Sequence, residues 1–200
     1  MSKIFISYRS NDTAALAVHL YEKLAARFGP EAVFRDDAST PAGIDYRDFL
    51  WSHLKLSVVM LVLIGPHWFA AGPSGGPKLF EPHDFVRDEI AEALRRNIRV
   101  VTILAGGQRR LREEDLPDPI KDLAHRQYRY IRDRDAVRDM ESLIVDLEKM
   151  GIAPVEPPRT ESLSSPSRTI TVGDVKPENS ALTFGDGSPA TVINHELGPR

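Results

Sequence analysis

The sequence has no cysteine among its 200 residues. Disulfide bonds, thiolate metal sites and a cysteine nucleophile are therefore excluded, and the expected location is the reducing cytoplasm. The chain also lacks the roughly 20 consecutive apolar residues that an α-helix needs to cross a bilayer. Its longest apolar run, VVMLVLI at residues 58–64, has the length of a buried strand. No secretory signal pattern opens the sequence, and we expect no membrane association.

The charge pattern points neither to nucleic acid nor to a metal ion. The net charge is −3 at pH 7, whereas recognition of nucleic acid needs a clustered basic face. The six histidines are scattered, and none forms a zinc-binding H-E-x-x-H pattern. The Gly-rich stretch 72–77 lacks the lysine of a phosphate-binding loop, and the mixed-charge stretch 109–115 is typical of a solvated loop. We expect no direct nucleic-acid contact and no metal site.

Strands and helices alternate regularly along the first three quarters of the sequence. Short β-branched and aromatic runs predict strands near residues 3–7, 32–35, 57–64, 98–104 and 127–131. Segments with helical spacing of apolar residues separate them, and Asn11 or Asp12 is the expected N-cap of the first helix. This order predicts an α/β domain over residues 1–150, with a five-stranded parallel sheet and helices on both faces. Such sheets bind ligands at the carboxyl ends of their strands.

The composition changes after residue 150. Residues 151–168 are rich in Pro, Ser and Glu, which is typical of a linker. Residues 169–200 contain three short β-like segments but too few apolar side chains for a core of their own. We expect this tail to be disordered, to dock on another protein or domain, or to assist self-assembly.

The stretch 84–94 (DFVRDEIAEAL) has the features of a functional helix. Asp84 occupies the N-cap position, where its carboxylate can accept hydrogen bonds from the first turn. Apolar residues recur at helical spacing behind it. Glu89 follows Phe85 by one turn and shares its helical edge, and a Gly/Pro-rich loop precedes the helix. We predict that Glu89 is a catalytic carboxylate. The alternative is a surface glutamate on an amphipathic helix.

Four sequence motifs follow one another along the chain. They are IFISYR at residues 4–9, VFRDD at 33–37 with Gly43 and Phe49 after it, IGPHW at 64–68, and DFVRDEI at 84–90. Together they resemble the first strand, the BB loop and the W-x-x-x-E helix of the Toll/interleukin-1 receptor (TIR) domain family, in its bacterial branch. The resemblance covers residues 2–150 and implies a flavodoxin-like fold.

The resemblance implies an enzyme of the NAD⁺-hydrolysing type. Many TIR domains cleave the bond between nicotinamide and ribose, and the glutamate of the W-x-x-x-E pattern is catalytic; here it is Glu89, with Phe85 in place of the tryptophan. A role in binding NAD⁺ is implied for Tyr8, Arg9, Gly43, Tyr46, Trp68 and Phe85. Local packing remains the alternative for Tyr8 and Arg9, and core packing for Trp68. NAD⁺ is then the substrate, and no other cofactor is expected.

One carboxylate is sufficient for this chemistry. Nicotinamide is already cationic in NAD⁺ and leaves as a neutral molecule, so the general acid of ordinary glycosidases is not required. The carboxylate stabilises the oxocarbenium-like ribosyl cation. Capture by water gives ADP-ribose, and capture by a base gives a cyclic product. By resemblance, homotypic TIR–TIR association activates such enzymes in bacterial defence or stress signalling. The alternative is a non-catalytic adaptor that associates through the BB loop, residues 37–45.

Overall fold

A five-stranded sheet forms the centre of the computed structural model, which describes residues 3–35 and 46–155. The strands are β1 (Ile4–Ser7), β2 (Val33–Arg35), β3 (Val59–Ile64), β4 (Arg99–Ala105) and β5 (Tyr128–Ile131). All neighbouring strands are parallel, in the order β2-β1-β3-β4-β5. The predicted parallel sheet is confirmed. Its most apolar strand, β3, lies in the middle because both faces of that position are buried.

Helices connect the strands in the described residues. The α-helices are α1 (Ala14–Phe28), α2 (Tyr46–Leu56), α3 (Phe85–Arg95) and α4 (Ala136–Lys149). Short 3₁₀ helices span Pro30–Ala32, Lys78–Phe80, Glu113–Asp115, Asp118–His125 and Asp133–Asp135. None of the helices in residues 3–35 and 46–155 has the length and hydrophobicity needed to cross a membrane.

The helices cover both faces of the sheet, as the sequence predicts. Successive side chains of a strand point to opposite faces. Leu61 and Leu63 of β3 pack with buried side chains of α1 and α4. Met60 and Val62 pack with those of α2 and α3. Each of these four side chains is fully buried, and burial of an aliphatic side chain of this size contributes about 1.5–3 kcal/mol. The sheet is therefore held by two cores, one on each face.

The predicted N-cap of α1 is wrong. Thr13 occupies the cap position and makes no side-chain cap hydrogen bond. The carboxylate of Asp12 instead accepts hydrogen bonds from the backbone N–H groups of Gly65 and His67, at 2.9 and 2.8 Å. Both amides belong to the loop after β3, so Asp12 connects the ends of β1 and β3. An aspartate that can cap a helix can equally bond other backbone amides once the fold brings them close.

The start of α3 agrees with the prediction. The Asp84 carboxylate accepts a hydrogen bond from the backbone N–H of Arg87 at 2.8 Å. Ile90 and Ala93 are fully buried, and Val86 packs beside them. The helix is therefore capped and oriented by the residues that the sequence indicates.

Two other segments are more firmly packed than their composition suggests. Within the mixed-charge stretch after β4, Leu111 is buried, and Leu116 is buried just beyond it, which anchors this loop to the core. Past residue 150, Ile152 is also buried, and the Val155 N–H donates to the Arg27 carbonyl at 2.9 Å. The BB loop at 37–45 and the rest of the predicted linker and tail lie outside the described residues.

Candidate functional site

Glu89 lies at the point of the sheet where its strand order reverses. In a sheet ordered 2-1-3-4-5 that point falls between β1 and β3, and ligands bind there at the carboxyl ends of the strands. Ser7 is the last residue of β1 and pairs with Val62 of β3. Its hydroxyl donates a hydrogen bond to Oε2 of Glu89 at 2.6 Å. This length is typical of an O–H group that donates to a carboxylate, so Ser7 fixes the orientation of the Glu89 side chain.

Glu89 is enclosed by the protein. Only 2% of the residue is exposed, and Ser7 is fully buried. This excludes the alternative of a surface glutamate. Burial of a carboxylate is costly unless its oxygens are hydrogen-bonded, which gives the Ser7 hydroxyl a definite structural purpose. The arrangement places an oriented carboxylate beneath the rim of the sheet.

An ion pair fastens the helix that carries Glu89. Nη1 and Nη2 of Arg9 donate to the two carboxylate oxygens of Asp84 at 2.8 and 3.0 Å. The two side chains are only 4% and 1% exposed. Asp84 also caps α3, so the ion pair connects the loop after β1 to the first turn of the helix. Planar, bidentate pairing of this kind is geometrically specific.

Trp68 forms the other side of the Arg9 pocket. The guanidinium carbon of Arg9 lies 5.0 Å from the centroid of the Trp68 ring, within the range of a cation–π interaction. Trp68 is fully buried, and in the described structure its indole N–H has no hydrogen-bond partner. In this state the tryptophan therefore packs in the core and contacts Arg9 rather than solvent.

The remaining predicted site residues are more dispersed. Phe85 is 45% exposed, and the guanidinium carbon of Arg47 lies 5.2 Å from its ring centroid. Tyr8 is partly buried and packs against the α1–α4 core. Tyr46 is the first residue of α2, but its side chain lies outside the described part of the structure, as does Gly43. The structure thus groups Arg9 with Trp68, and it leaves Phe85 exposed while Glu89 is buried.

Two contacts of the candidate site could not be recognised locally in the sequence. Ser7 is the partner of Glu89 across 82 positions, and Arg9 is the partner of Asp84 across 75 positions. A faint signal for Ser7 is its position as a polar residue at the end of an apolar strand. Asp84 is identifiable as a cap, but a cap does not reveal a distant arginine.

Two other carboxylates near this end of the sheet, Asp12 and Asp84, are engaged in contacts that hold the fold. The neighbouring acid, Asp84, is bound by Arg9 through both oxygens, so it does not supply a second acid–base group. Among residues 3–35 and 46–155, no three His, Asp or Glu side chains are placed to hold a metal ion. An oriented carboxylate alone can stabilise a developing cation or accept a proton.

Comparisons with known proteins agree with the fold. A family model described as the TIR domain matches residues 4–144. Among solved structures, the chain is similar to the TIR domains of the activated Roq1 resistosome directly recognizing the pathogen effector XopQ. That match has a TM-score of 0.55 and 13% sequence identity, and it covers 74% of this chain and 99% of the other. At this identity the likeness concerns the fold alone. A search of curated proteins gave no significant match.

Proposed function

The chain belongs to the TIR domain family, and we propose that it is an NAD⁺ nucleosidase with Glu89 as its catalytic residue. The observation that carries the proposal is the 2.6 Å hydrogen bond between Ser7 and Glu89 at the carboxyl end of β1. It gives an oriented carboxylate at the strand-order reversal, where flavodoxin-like sheets bind ligands. The products are nicotinamide and either ADP-ribose or a cyclic ADP-ribose.

The proposed reaction needs electrostatic stabilisation more than proton transfer. As the bond between nicotinamide and ribose breaks, the bonding electrons go to the nicotinamide nitrogen and positive charge develops on the ribose. The Glu89 carboxylate stabilises that charge, and Ser7 holds the carboxylate so that it need not reorient during the reaction. Water attacks the ribosyl carbon and loses a proton, which gives ADP-ribose. Attack on the same carbon by a nitrogen of the adenine base of the same NAD⁺ molecule gives the cyclic product.

Arg9 supports the proposed site as a positioning residue. Its guanidinium is 4% exposed, and both terminal nitrogens bind Asp84. A phosphate contact would require Arg9 to exchange a buried carboxylate for a ligand. Holding Asp84, and with it the first turn of α3, is the role that its contacts favour.

The burial of Glu89 bears on how the enzyme is activated. Because the residue is only 2% exposed, NAD⁺ reaches it only after surrounding groups move. The apparent affinity of a substrate that binds only an open form is reduced in proportion to the population of that form. Homotypic association that stabilises an open form therefore raises activity, and we propose that clustering activates this protein.

The same burial favours one other function. A carboxylate that is enclosed and hydrogen-bonded to Ser7 also suits a purely structural role. The chain is then a non-catalytic adaptor that acts through TIR–TIR association. The two functions differ in whether NAD⁺ is cleaved at all, and in what replacement of Glu89 does to cleavage.

Nicotinamide release from NAD⁺ by the full chain, free and clustered on beads, tests the proposal. Glu89→Gln keeps the size of the side chain and an oxygen that can accept from Ser7, but it removes the charge. Glu92→Gln is the matched control, because Glu92 lies on the same helix and pairs outward with Arg95 and Arg96. Melting curves of both variants establish that they fold.

We expect nicotinamide release from wild type and from Glu92→Gln, increased by clustering. Release should fall at least about 100-fold in Glu89→Gln, the order of loss seen when one electrostatic stabiliser is removed from an active site. Undiminished release by a folded Glu89→Gln protein would show that another residue is catalytic. Absence of release from clustered wild type would favour the adaptor function.

A further inference from the structure

A cavity lies away from Glu89, between the loops that follow β3 and β4. Its volume is about 630 Å³, and its lining includes Phe69, Phe80, Gln108, Arg109, Arg110 and Leu111. Neither Ser7 nor Glu89 contributes to its walls. Cavities of roughly 300–1,000 Å³ that combine apolar walls with a few polar groups are typical small-molecule sites. The cavity lies at the carboxyl ends of two adjacent parallel strands.

The two loops that form this cavity are held together by specific contacts. The Gln108 side-chain amide donates to the carbonyl of Gly65 at 2.8 Å. Gly106 and Gly107 have φ angles of 59° and 77°, which favour glycine. A Cβ atom on Gly106 would lie 2.7 Å from Cγ of Pro66, so the close approach of the loops requires glycine there. The walls are therefore formed before any ligand arrives.

Aromatic and aliphatic groups line one wall of the cavity. Phe80 is 50% exposed, although it is a large apolar residue. Phe69 is partly buried and packs on the core, and Leu111 is buried. Aromatic faces of this kind suit a flat ring, which gains offset-stacked or edge-to-face contacts.

The polar wall carries both signs of charge: Arg109 and Arg110 line it together with Glu114 and Asp115. Arg112 binds the acidic residues of this loop, reaching Glu114 at 2.6 Å and Asp115 at 3.0 Å. Arg109 is 3.9 Å from Asp115, beyond hydrogen-bond distance, and its side chain is 72% exposed. Arg110 lies 5.4 Å from the Tyr128 ring centroid and donates only to a backbone carbonyl, at 3.4 Å. Within the described residues, two guanidinium groups therefore line the cavity without a hydrogen-bonded carboxylate.

We propose that this cavity is a second binding site, for a planar heteroaromatic compound that carries a phosphate, the chemistry of a mononucleotide. The ring packs against Phe69 and Phe80, and the phosphate accepts hydrogen bonds from Arg109 and Arg110. Guanidinium groups match the geometry of phosphate oxygens. The proposal is independent of NAD⁺ cleavage, because it rests on a different set of residues.

Titration of the full chain with AMP, followed by the amide NMR shifts of the protein, tests this site. We expect saturable binding, with shift changes concentrated in residues 66–80 and 106–116. Arg109→Ala removes one charged hydrogen-bond donor and should weaken binding about tenfold, and Phe80→Ala should weaken it several-fold. Arg134→Ala, an exposed arginine in the 3₁₀ turn before α4, is the matched control and should bind AMP like wild type.

Adenosine and inorganic phosphate, titrated separately, distinguish the two halves of the ligand, and each should bind more weakly than AMP. The proposal is overturned if AMP gives no saturable binding at millimolar concentration, or if Arg109→Ala and Phe80→Ala bind it like wild type. It is also overturned if the shift changes centre on Ser7 and Glu89, since AMP would then occupy the site of the proposed reaction instead. Adenosine or phosphate alone binding as tightly as AMP would overturn the two-part recognition.

Discussion

Replacement of Arg9 by methionine should destabilise the fold by about 3–5 kcal/mol. The change keeps a long apolar side chain beside Trp68 but leaves the Asp84 carboxylate, which is 1% exposed, without its counter-ion. Removal of one partner of a buried ion pair costs this much because the remaining charge is desolvated and unpaired. In a chain of this size each kcal/mol lowers the melting temperature by about 2–4 °C, so Tm should fall by roughly 6–20 °C.

Replacement of Asp84 by asparagine separates the ion pair from the helix cap. Asparagine caps helices about as well as aspartate, so the bond from the Arg87 N–H can survive while the charge is lost. Arg9→Met combined with Asp84→Asn removes both charges, and it should be less unstable than the sum of the two single variants. The difference is the coupling energy of the pair, and 0.5–3 kcal/mol is the usual range for residues in contact.

Urea unfolding of the four proteins measures these free energies through the transition midpoint and the m value. An exposed ion pair provides the control: Arg112 and Glu114 are 2.6 Å apart with side chains 53% and 68% exposed. Glu114→Gln should cost less than about 1 kcal/mol, as exposed pairs do. A cost below about 1 kcal/mol for Arg9→Met, with an unchanged m value, would refute the reasoning that burial makes this pair strong.

Three further predictions concern Ser7, Gly65 and His53. Ser7→Ala removes the 2.6 Å bond to Glu89 and should lower kcat for NAD⁺ cleavage about tenfold while KM changes little, because the hydroxyl orients the carboxylate rather than the substrate. Gly65→Ala should lower the free energy of unfolding by about 1–3 kcal/mol in urea, since the new Cβ would lie 2.5 Å from an Asp12 oxygen. Burial lowers the pKa of His53 below its ordinary 6.5, so the unfolded chain binds a proton more readily than the folded one. The free energy of unfolding should therefore fall as the pH drops below about 6.5 toward that lowered pKa, and His53→Gln should flatten the fall.

Each of these predictions has a result that contradicts it. A proportional rise in KM for Ser7→Ala would mean that Ser7 contacts the substrate. Gly76→Ala, where a Cβ would meet nothing closer than 3.9 Å, is the control for Gly65→Ala, and equal stability of the two variants would exclude crowding at Gly65. Parallel pH dependence of wild type and His53→Gln would assign the acid sensitivity to other groups.

The sheet could be predicted from the sequence because its signals are local. The run 58–64 is apolar at every position, and the strand observed there, β3, is buried on both faces. The pairing of polar residues could not be predicted, because Ser7 and Glu89 are 82 positions apart and Arg9 and Asp84 are 75 apart. Glu89 and Asp84 are conspicuous in the sequence and Ser7 is not, and only the topology brings the end of β1 and the start of α3 together.

Helical spacing also does not determine exposure along one edge of a helix. Phe85 and Glu89 share an edge of α3 by their spacing. In the structure Phe85 is 45% exposed and Glu89 only 2%. The difference arises because Glu89 meets the end of β1, where Ser7 covers it, whereas Phe85 does not. The periodicity therefore predicted the helix and its buried apolar face correctly, but it could not predict that the Glu89 carboxylate is enclosed.

Among the contacts that hold the first turns of α3 near the end of β1, two differ in strength. Asp84 is held by Arg9 through a buried ion pair, whose disruption costs about 3–5 kcal/mol. The Ser7 hydroxyl holds Glu89 through a 2.6 Å hydrogen bond, and bonds to charged groups contribute about 1.5–3 kcal/mol. A movement that exposes Glu89 must break its hydrogen bond with Ser7, but it can leave the Arg9–Asp84 ion pair intact.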